Sequence, residues 1–291
     1  MVTTGTFDGV HLGHQTVLKS VLAAAKRVGG KSVLLTFHPH PRVVLQQNTS
    51  LKLLTTLEEK IELLEEIGLD YLVILPFTKE FSRKTSLSFV REIIVAQLRT
   101  KVLVIGYDHH FGRNREGSFE HLQEFGPLYG FQVKEIQAKD VDQINVSSTK
   151  IRAALEQGQV EEANKLLGYA YRISGEVVRG DQIGTAIGFP TANLQVADPY
   201  KLIPQNGVYA VKVELEGRQY KGMLNIGTRP TVVSQGAITI EVHLIDFGGD
   251  LYGQQVEVEM IARLRAEQSF PDQAALKEQL AKDREYCLAL L

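Results

Sequence analysis

Short runs of β-branched and apolar residues alternate with amphipathic stretches of helical length from residue 1 to about residue 168. The apolar runs predict strands at 2–6, 32–37, 71–75, 102–105 and 131–136. Strands separated by helices of this length pair in parallel, because each connection crosses one face of the sheet before the next strand begins. The pattern therefore predicts an α/β unit with a parallel sheet and helices on its faces.

The segment TTLEEKIELLEEIG, residues 55–68, carries helix start and stop signals. Thr56 and Glu59 have the spacing of a capping box, in which each side chain accepts a hydrogen bond from the other residue's backbone N–H. Gly68 can adopt the left-handed conformation that ends many helices. We expect one helix between these two residues, followed directly by the strand at 71–75.

After residue 170 the pattern changes to alternating strands joined by polar or glycine-rich turns, at 208–215, 220–227, 238–245 and 256–261. This alternation is typical of an antiparallel barrel or sandwich. The last stretch, DQAALKEQLAKDREYCLALL, has apolar residues at helical spacing and predicts a closing amphipathic helix. We predict two domains, 1–168 and 169–291.

Composition narrows the classes of partner. The chain has 32 basic and 34 acidic residues and a formal charge of −2, so we expect neither a nucleic-acid-binding nor a membrane-binding surface. No apolar run approaches the ~20 residues that cross a bilayer, and no export signal is visible, which favours a cytoplasmic protein. The single cysteine, Cys287, excludes an internal disulfide.

The stretch TGTFDGVHLGHQ, residues 4–15, lies where the first strand leads into a helix. In a parallel sheet such junctions bind anions, because exposed N–H groups of the helix face the ligand. Glycines let the backbone approach a phosphate, and His11 and His14 can donate hydrogen bonds to phosphate oxygens. Two other interpretations are a simple turn feature and half of a metal site completed by His38 and His40.

The string GTFDGVHLGHQ resembles the HxGH signature of nucleotidylyl transferases, in the form found in their FAD-synthetase branch. VSSTKIR, residues 146–152, resembles the element by which these enzymes hold ATP, with hydroxyls that can cap a helix and an arginine that can fork onto phosphate. GYDHHFGRNREG, residues 106–117, resembles the family's nucleotide loop, while in TFHPHPRVV His38 replaces an acidic residue common in relatives. The resemblance implies His11 and His14 as catalytic residues and an ATP-binding set of Gly5, Phe7, Gly13, Asp108, Ser147, Ser148, Thr149 and Arg152.

The string IGTAIGFPTANL, residues 183–194, is not a Walker loop, since G-x-x-x-x-G-K-[ST] occurs nowhere in the chain. The Thr191 hydroxyl is a plausible Mg²⁺ ligand and Asn193 can orient metal and phosphate. The string resembles the GFPTAN signature of riboflavin kinases, although Thr185 replaces a basic residue common there. The resemblance further implies ATP binding by Gly184, Gly188, Thr191 and Asn193, proton abstraction by Glu241, and flavin contacts from Arg265 and Phe270.

Across the whole chain the resemblance is to the bifunctional riboflavin kinase and FAD synthetase family. It implies a Rossmann-like, doubly wound N-terminal domain, and a C-terminal β-barrel with a closing helix. The barrel would phosphorylate riboflavin to FMN, releasing ADP, and the first domain would adenylate FMN to FAD, releasing pyrophosphate. Mg²⁺ would accompany ATP, and we expect no permanently bound organic cofactor.

Three alternatives remain from the sequence. One is a nucleotidylyl transferase acting on nicotinamide mononucleotide or phosphopantetheine, against which the PTAN segment argues. Another is a class I aminoacyl-tRNA synthetase, although the chain is short, nearly neutral and lacks a lysine-rich loop after the sheet. The third is a flavin-binding reservoir or regulator. Because only Met1–Thr4 precede Gly5, whereas relatives carry more residues there, we also expect kinase activity to be the more robust of the two.

Overall fold

The computed structural model describes residues 1–46, 50–106, 111–136, 146–179, 188–215, 217–228 and 238–291. The chain divides into two compact units, Met1–Ser148 and Thr149–Leu291. This division falls before a pair of short helices, whereas the change of sequence pattern falls after them. The boundary at 168/169 stays a prediction about where the two functions divide.

The first unit contains a five-stranded parallel sheet, as the alternating pattern predicts. Its strands are β1 Val2–Thr4, β2 Val33–His38, β3 Tyr71–Pro76, β4 Val102–Gly106 and β5 Gln132–Ile136. Their order is β3-β2-β1-β4-β5, so β1 pairs with β2 on one side and with β4 on the other. From β1 the strand order runs outward through β2 and β3 on one side and through β4 and β5 on the other, so β1 lies at the topological switch point. In such sheets ligands bind at the carboxyl ends of the strands beside this point.

Helices connect the strands: α1 Leu12–Arg27, α2 Pro41–Leu45, α3 Leu57–Ile67, α4 Ser86–Phe89 with a π-helical continuation Val90–Gln97, and α5 Phe119–Tyr129. The predicted capping box of α3 is confirmed: the Glu59 amide donates to Thr56 Oγ1 at 3.2 Å and the Thr56 amide to Glu59 Oε2 at 3.0 Å. Gly68 ends the helix with φ of 84°. Local sequence therefore fixes both ends of α3.

The second unit contains all of α6, Ser148–Glu156, except its first residue, together with α7 Val160–Leu167. Its six described strands are β6 Tyr171–Val178, β7 Ala192–Gln195, β8 Gly207–Leu215, β9 Arg218–Thr228, β10 Ile238–Leu244 and β11 Gln255–Arg265. They form a closed antiparallel barrel in the order β10-β7-β6-β11-β8-β9. The sandwich alternative is therefore wrong. Closure depends on short β7, which pairs with β10 on one side and β6 on the other.

The closing helix α8, Gln273–Leu290, begins where the sequence predicts, with Asp272 Oδ1 accepting a hydrogen bond from the Ala275 amide at 2.8 Å. It packs against β8, β9 and β11. Cys287, a residue of this helix, is fully buried against the barrel, and its Sγ donates to the Gly222 carbonyl at 3.2 Å. Among the residues that the structure describes, no helix is both long and apolar enough to span a bilayer.

Candidate active sites

The loop between β1 and α1 has a strained backbone. Phe7 and Val10 lie at positive φ, 48° and 35°, in addition to Gly9 at 81°. Residues with a side chain rarely occupy this region, and such strain persists only where surrounding contacts impose it. The amide of Gly5 donates to the Leu35 carbonyl at 3.1 Å, which fixes the start of the loop against β2.

Contacts from residues 54–60 hold this loop in place. The buried carboxylate of Asp8 accepts hydrogen bonds from the amides of Leu54 and Thr55 at 3.0 and 3.3 Å. The Gly9 amide donates to Thr55 Oγ1 at 3.3 Å, and Lys60 Nζ donates to the Thr6 carbonyl at 2.9 Å. The sequence interpretation assigned no role to Asp8 or Lys60.

The two histidines form a stacked pair at the start of α1. Their ring centroids are 3.6 Å apart, and the His14 amide donates to His11 Nδ1 at 3.3 Å, so His11 caps the helix. Phe7 lies 4.8 Å from His14 on a tilted plane. Burial, followed by the proximity of His11 and Lys60, lowers the pKa of His14 well below its ordinary value. His14 is thus an uncharged hydrogen-bonding group at neutral pH.

The other predicted ATP contacts of the first half lie in different places. Gly13 is buried in the first turn of α1. Ser148 Oγ donates to the Asp8 carbonyl at 3.1 Å, so Ser148, which follows Ser147, is hydrogen-bonded to the histidine loop. Thr149 and Arg152 lie on α6, in the second unit. Asp108 lies outside the described residues.

The alternative of a histidine metal site finds no ligand set in the described ranges, where no three His, Cys, Asp or Glu side chains are grouped to hold a metal ion. His40 Nδ1 instead accepts from the Arg42 amide at 3.1 Å and caps α2. His38 is exposed at the end of β2. The histidines of HPHP therefore have a turn role or a surface position.

In the second unit the barrel brings three predicted residues together. Strand register sets Glu241 on β10 directly opposite Asn193 on β7 and opposite Asn225 on β9. Directly opposed residues in antiparallel strands share a face. Thr191 Oγ1 donates to Glu241 Oε2 at 3.4 Å. Thr191, Asn193 and Glu241 thus form one polar group. The strand register adds Asn225, which the sequence did not single out.

The segment that carries Thr191 is fixed to β10 by its neighbours. A ring nitrogen of His243 is hydrogen-bonded to the Pro190 carbonyl at 2.8 Å, and the Phe189 ring meets the His243 ring edge to face at 5.3 Å. Gly188, with φ of 86°, supplies a turn before them. Gly184, predicted to contact ATP, lies outside the described residues.

Arg265, at the end of β11, forms an ion pair with Asp283 on α8, with Nη2 at 2.8 Å and Nε at 2.9 Å from Oδ2. Both side chains are largely buried, at 14% and 5% exposure. The Phe270 ring lies 5.7 Å from the guanidinium carbon. The structure places Arg265 in a clamp between barrel and helix, and flavin binding by Arg265 and Phe270 stays a prediction.

These two groups suit different chemistry. The first places uncharged imidazole and helix N–H groups at the switch point of a parallel sheet, an arrangement that binds phosphate oxygens. The second combines hydroxyl, amide and carboxylate oxygens, the hard donors that suit a phosphate-bound divalent cation, together with a carboxylate that can accept a proton.

Two family models match the chain. The model described as FAD synthetase matches residues 1–150, and the model described as riboflavin kinase matches residues 167–291. The first range contains the histidine pair and the second contains the Thr191–Glu241 group.

Curated relatives match nearly the whole chain. The bifunctional riboflavin kinase/FMN adenylyltransferase of Listeria monocytogenes is 39% identical, over 98% of this chain and 90% of the relative. The proteins of the same description from Escherichia coli K12 and Haemophilus influenzae are 38% and 39% identical, over 97% and 98% of this chain and 90% and 92% of theirs.

One solved structure is similar over most of its length. A crystal structure named as a macrolide-efflux protein from Streptococcus pneumoniae has a TM-score of 0.87 at 32% identity, covering 98% of this chain and 92% of the other. The efflux name belongs to the Streptococcus protein, and the likeness is one of sequence and fold.

Proposed function

Because the chain belongs to the bifunctional riboflavin kinase/FMN adenylyltransferase family, we propose a division of its two reactions between two separate groups of residues. The enzyme phosphorylates riboflavin to FMN and adenylates FMN to FAD, using ATP in both steps. The observation that carries the division is geometric: the stacked histidines lie in one compact unit, and Thr191, Asn193 and Glu241 lie in the barrel of the other. We assign adenylation to 1–168 and phosphorylation to 169–291.

In the barrel, Glu241 accepts the proton of the ribityl 5′-hydroxyl as that oxygen bonds to the γ-phosphorus of ATP. The bond between the γ-phosphorus and the β–γ bridging oxygen breaks, and ADP leaves. A carboxylate suits this role because positioning and charge neutralisation do most of the work of phosphoryl transfer. The hydroxyl of Thr191 donates to Glu241 Oε2 at 3.4 Å, which supports a role for both side chains at one bound substrate.

In the first domain, an FMN phosphate oxygen attacks the α-phosphorus of ATP, and pyrophosphate leaves with the α–β bridging oxygen. No general base is needed, because the nucleophile is already an anion. His11 and His14 donate hydrogen bonds to phosphate oxygens as charge develops on them. ATP would be bound by the side chains of Ser147, Ser148, Thr149 and Arg152. The backbone of Gly5, Phe7 and Gly13 would lie close to the same nucleotide.

The chemistry depends on ATP with a divalent metal, which we propose to be Mg²⁺. Thr191 and Asn193 fit this ion because both present hard, uncharged oxygens on one side of the barrel, beside the carboxylate of Glu241. When bound, the ion neutralises triphosphate charge. The protein's own part is to hold its two oxygen ligands and Glu241 in fixed register.

The test separates the two reactions by mutation. Purified protein is incubated with riboflavin, ATP and Mg²⁺, and the flavins are chromatographed. Glu241→Gln should lower FMN formation about 100-fold or more, because the base is lost, yet convert added FMN to FAD normally. His14→Ala should do the reverse and accumulate FMN.

Glu214→Gln on β8 and His121→Ala on α5 are matched controls, because both side chains are exposed, and both should behave as wild type. If either active-site change disables both reactions in a folded protein, the division is wrong. If wild type binds riboflavin but leaves it unchanged, the protein is a flavin reservoir instead.

A further inference from the structure

Lys60 occupies an unfavourable position for a lysine. It lies in the first turn of α3, three residues after Leu57 and four before buried Leu64, within the apolar stripe of the helix. Only 7% of its surface is exposed. Burial of an ammonium group costs free energy, and the first turn of a helix disfavours positive charge. An apolar residue would pack here at lower cost, so the charge itself requires an explanation.

The ammonium group reaches the histidine loop. Lys60 Nζ donates to the Thr6 carbonyl at 2.9 Å, and Thr36 Oγ1 donates to the same carbonyl at 3.3 Å. Thr6 directly precedes Phe7, the first of the residues with positive φ. Lys60 therefore fixes the peptide at which the strained backbone begins.

We propose that Lys60 is a positioning residue for adenylyl transfer, which fixes the loop through the Thr6 carbonyl and keeps a buried positive charge near the imidazole of His14. This inference rests on the proposed role of His14. Lys60 acts through the loop and through His14, because its ammonium group donates to the Thr6 carbonyl.

The charge has a second effect that packing alone would not have. Two charged or titratable groups of the described residues act on His14: His11, which caps its helix, and Lys60 on α3. Burial of His14 is the largest cause of its lowered pKa, and the proximity of His11 and Lys60 lowers it further. Asp8 partly offsets the burial that lowers the pKa of Lys60. Lys60 thus helps to keep His14 an uncharged hydrogen-bonding group.

The experiment replaces Lys60 by methionine, which keeps the length and removes the charge. Lys60→Arg keeps the charge, and Lys19→Met removes an exposed lysine from α1 as a matched control. Histidine-labelled protein is titrated by NMR to follow the His14 ring, and FAD formation from FMN is measured as kcat and KM against pH.

We expect Lys60→Met to move the His14 titration upward in pH and to lower kcat for FAD formation about tenfold or more, with riboflavin phosphorylation unchanged. Lys60→Arg should keep the His14 titration near that of wild type, and Lys19→Met should change neither property. If Lys60→Met leaves both the titration and kcat as in wild type, the proposal is overturned.

The titration separates this proposal from the proposed function, because it needs no turnover. A wild-type protein that forms no FAD would refute the assigned activity, while the His14 titration would still decide the effect of Lys60. If Lys60→Met does not fold, the same titration in Lys60→Gln decides the question: an unmoved midpoint overturns the proposal and an upward shift supports it.

Discussion

At the scale of single residues, the histidine loop shows how strain is fixed by neighbours. Asp8 and Gly9 are both hydrogen-bonded to residues 54–55, across a sequence separation of 46 or 47 residues. These bonds offset the cost of left-handed backbone at Phe7 and Val10, which is about 1–2 kcal/mol per residue. Substitutions in the loop should consequently affect adenylation before they affect the fold as a whole.

Gly9→Ala should selectively impair FAD formation. A Cβ at Gly9 would lie 2.6 Å from Leu54 Cδ1, and φ there is +81°. Gly29→Ala is a matched control, since φ is +61° but no atom lies within 4 Å of the added Cβ. The positive φ should cost each change about 1–2 kcal/mol in unfolding free energy, but only Gly9→Ala should add the cost of the clash and reduce the FMN-to-FAD rate. Equal FAD rates in the two variants would contradict the clash with Leu54.

His14 should make the stability of the first unit pH-dependent. Its pKa is lowered in the folded protein, so the unfolded chain binds the proton more tightly. The stabilisation is complete above the unfolded pKa, about 6.5, and is lost as pH falls below that value. Hydrogen exchange of α1 amides at pH 7.5 and 5.5 should therefore show weaker protection at the lower pH.

His14→Gln should reduce that difference in protection, whereas His121→Gln, on the exposed side of α5, should preserve it. Identical differences in wild type and His14→Gln would show that another group controls the response.

At the scale of elements, the sequence specifies helix ends better than helix partners. Thr56, Glu59 and Asp272 cap their helices as local patterns require. The attachment of α8 depends instead on the pair Arg265–Asp283, separated by 18 residues, with Gln279 also donating to Asp283 at 2.8 Å. No periodicity marks Asp283 as buried, so this attachment could not be read from the sequence.

Asp283→Ala should destabilise the barrel unit by about 3–5 kcal/mol, because it leaves the buried guanidinium of Arg265 without a counter-charge. Urea unfolding measures the loss, and the KM for riboflavin should rise if α8 helps to cover the flavin. Lys282→Ala, whose ion pair with Glu278 is exposed, is the control and should match wild type. A wild-type unfolding curve for Asp283→Ala would exclude the clamp.

At the scale of the whole molecule, strand periodicity predicted the parallel sheet and most strands of the barrel. It did not predict whether the antiparallel strands close into a barrel or form a sandwich. The barrel closes because β7 pairs with both β10 and β6. The pairing of β7 with β10 joins distant parts of the chain and has no local sequence signal. The same limit applies to Asn225, which joins Glu241 only through register. Lys60 did carry a signal, since it interrupts the apolar stripe of α3, but its contact with Thr6 is set by tertiary packing.

The buried thiol of Cys287 gives this protein a built-in chemical reporter. It is the chain's sole cysteine, and burial raises its pKa, so a maleimide reagent has one possible target and meets it only when the terminal helix lifts away. The thiolate is the reactive form, and the buried thiol ionises less readily than an exposed one. The labelling rate therefore measures how often α8 opens and exposes Cys287. Saturating riboflavin and ATP should slow labelling if bound substrates hold α8 against the barrel. The rate of helix opening could then be compared directly with the rate of turnover.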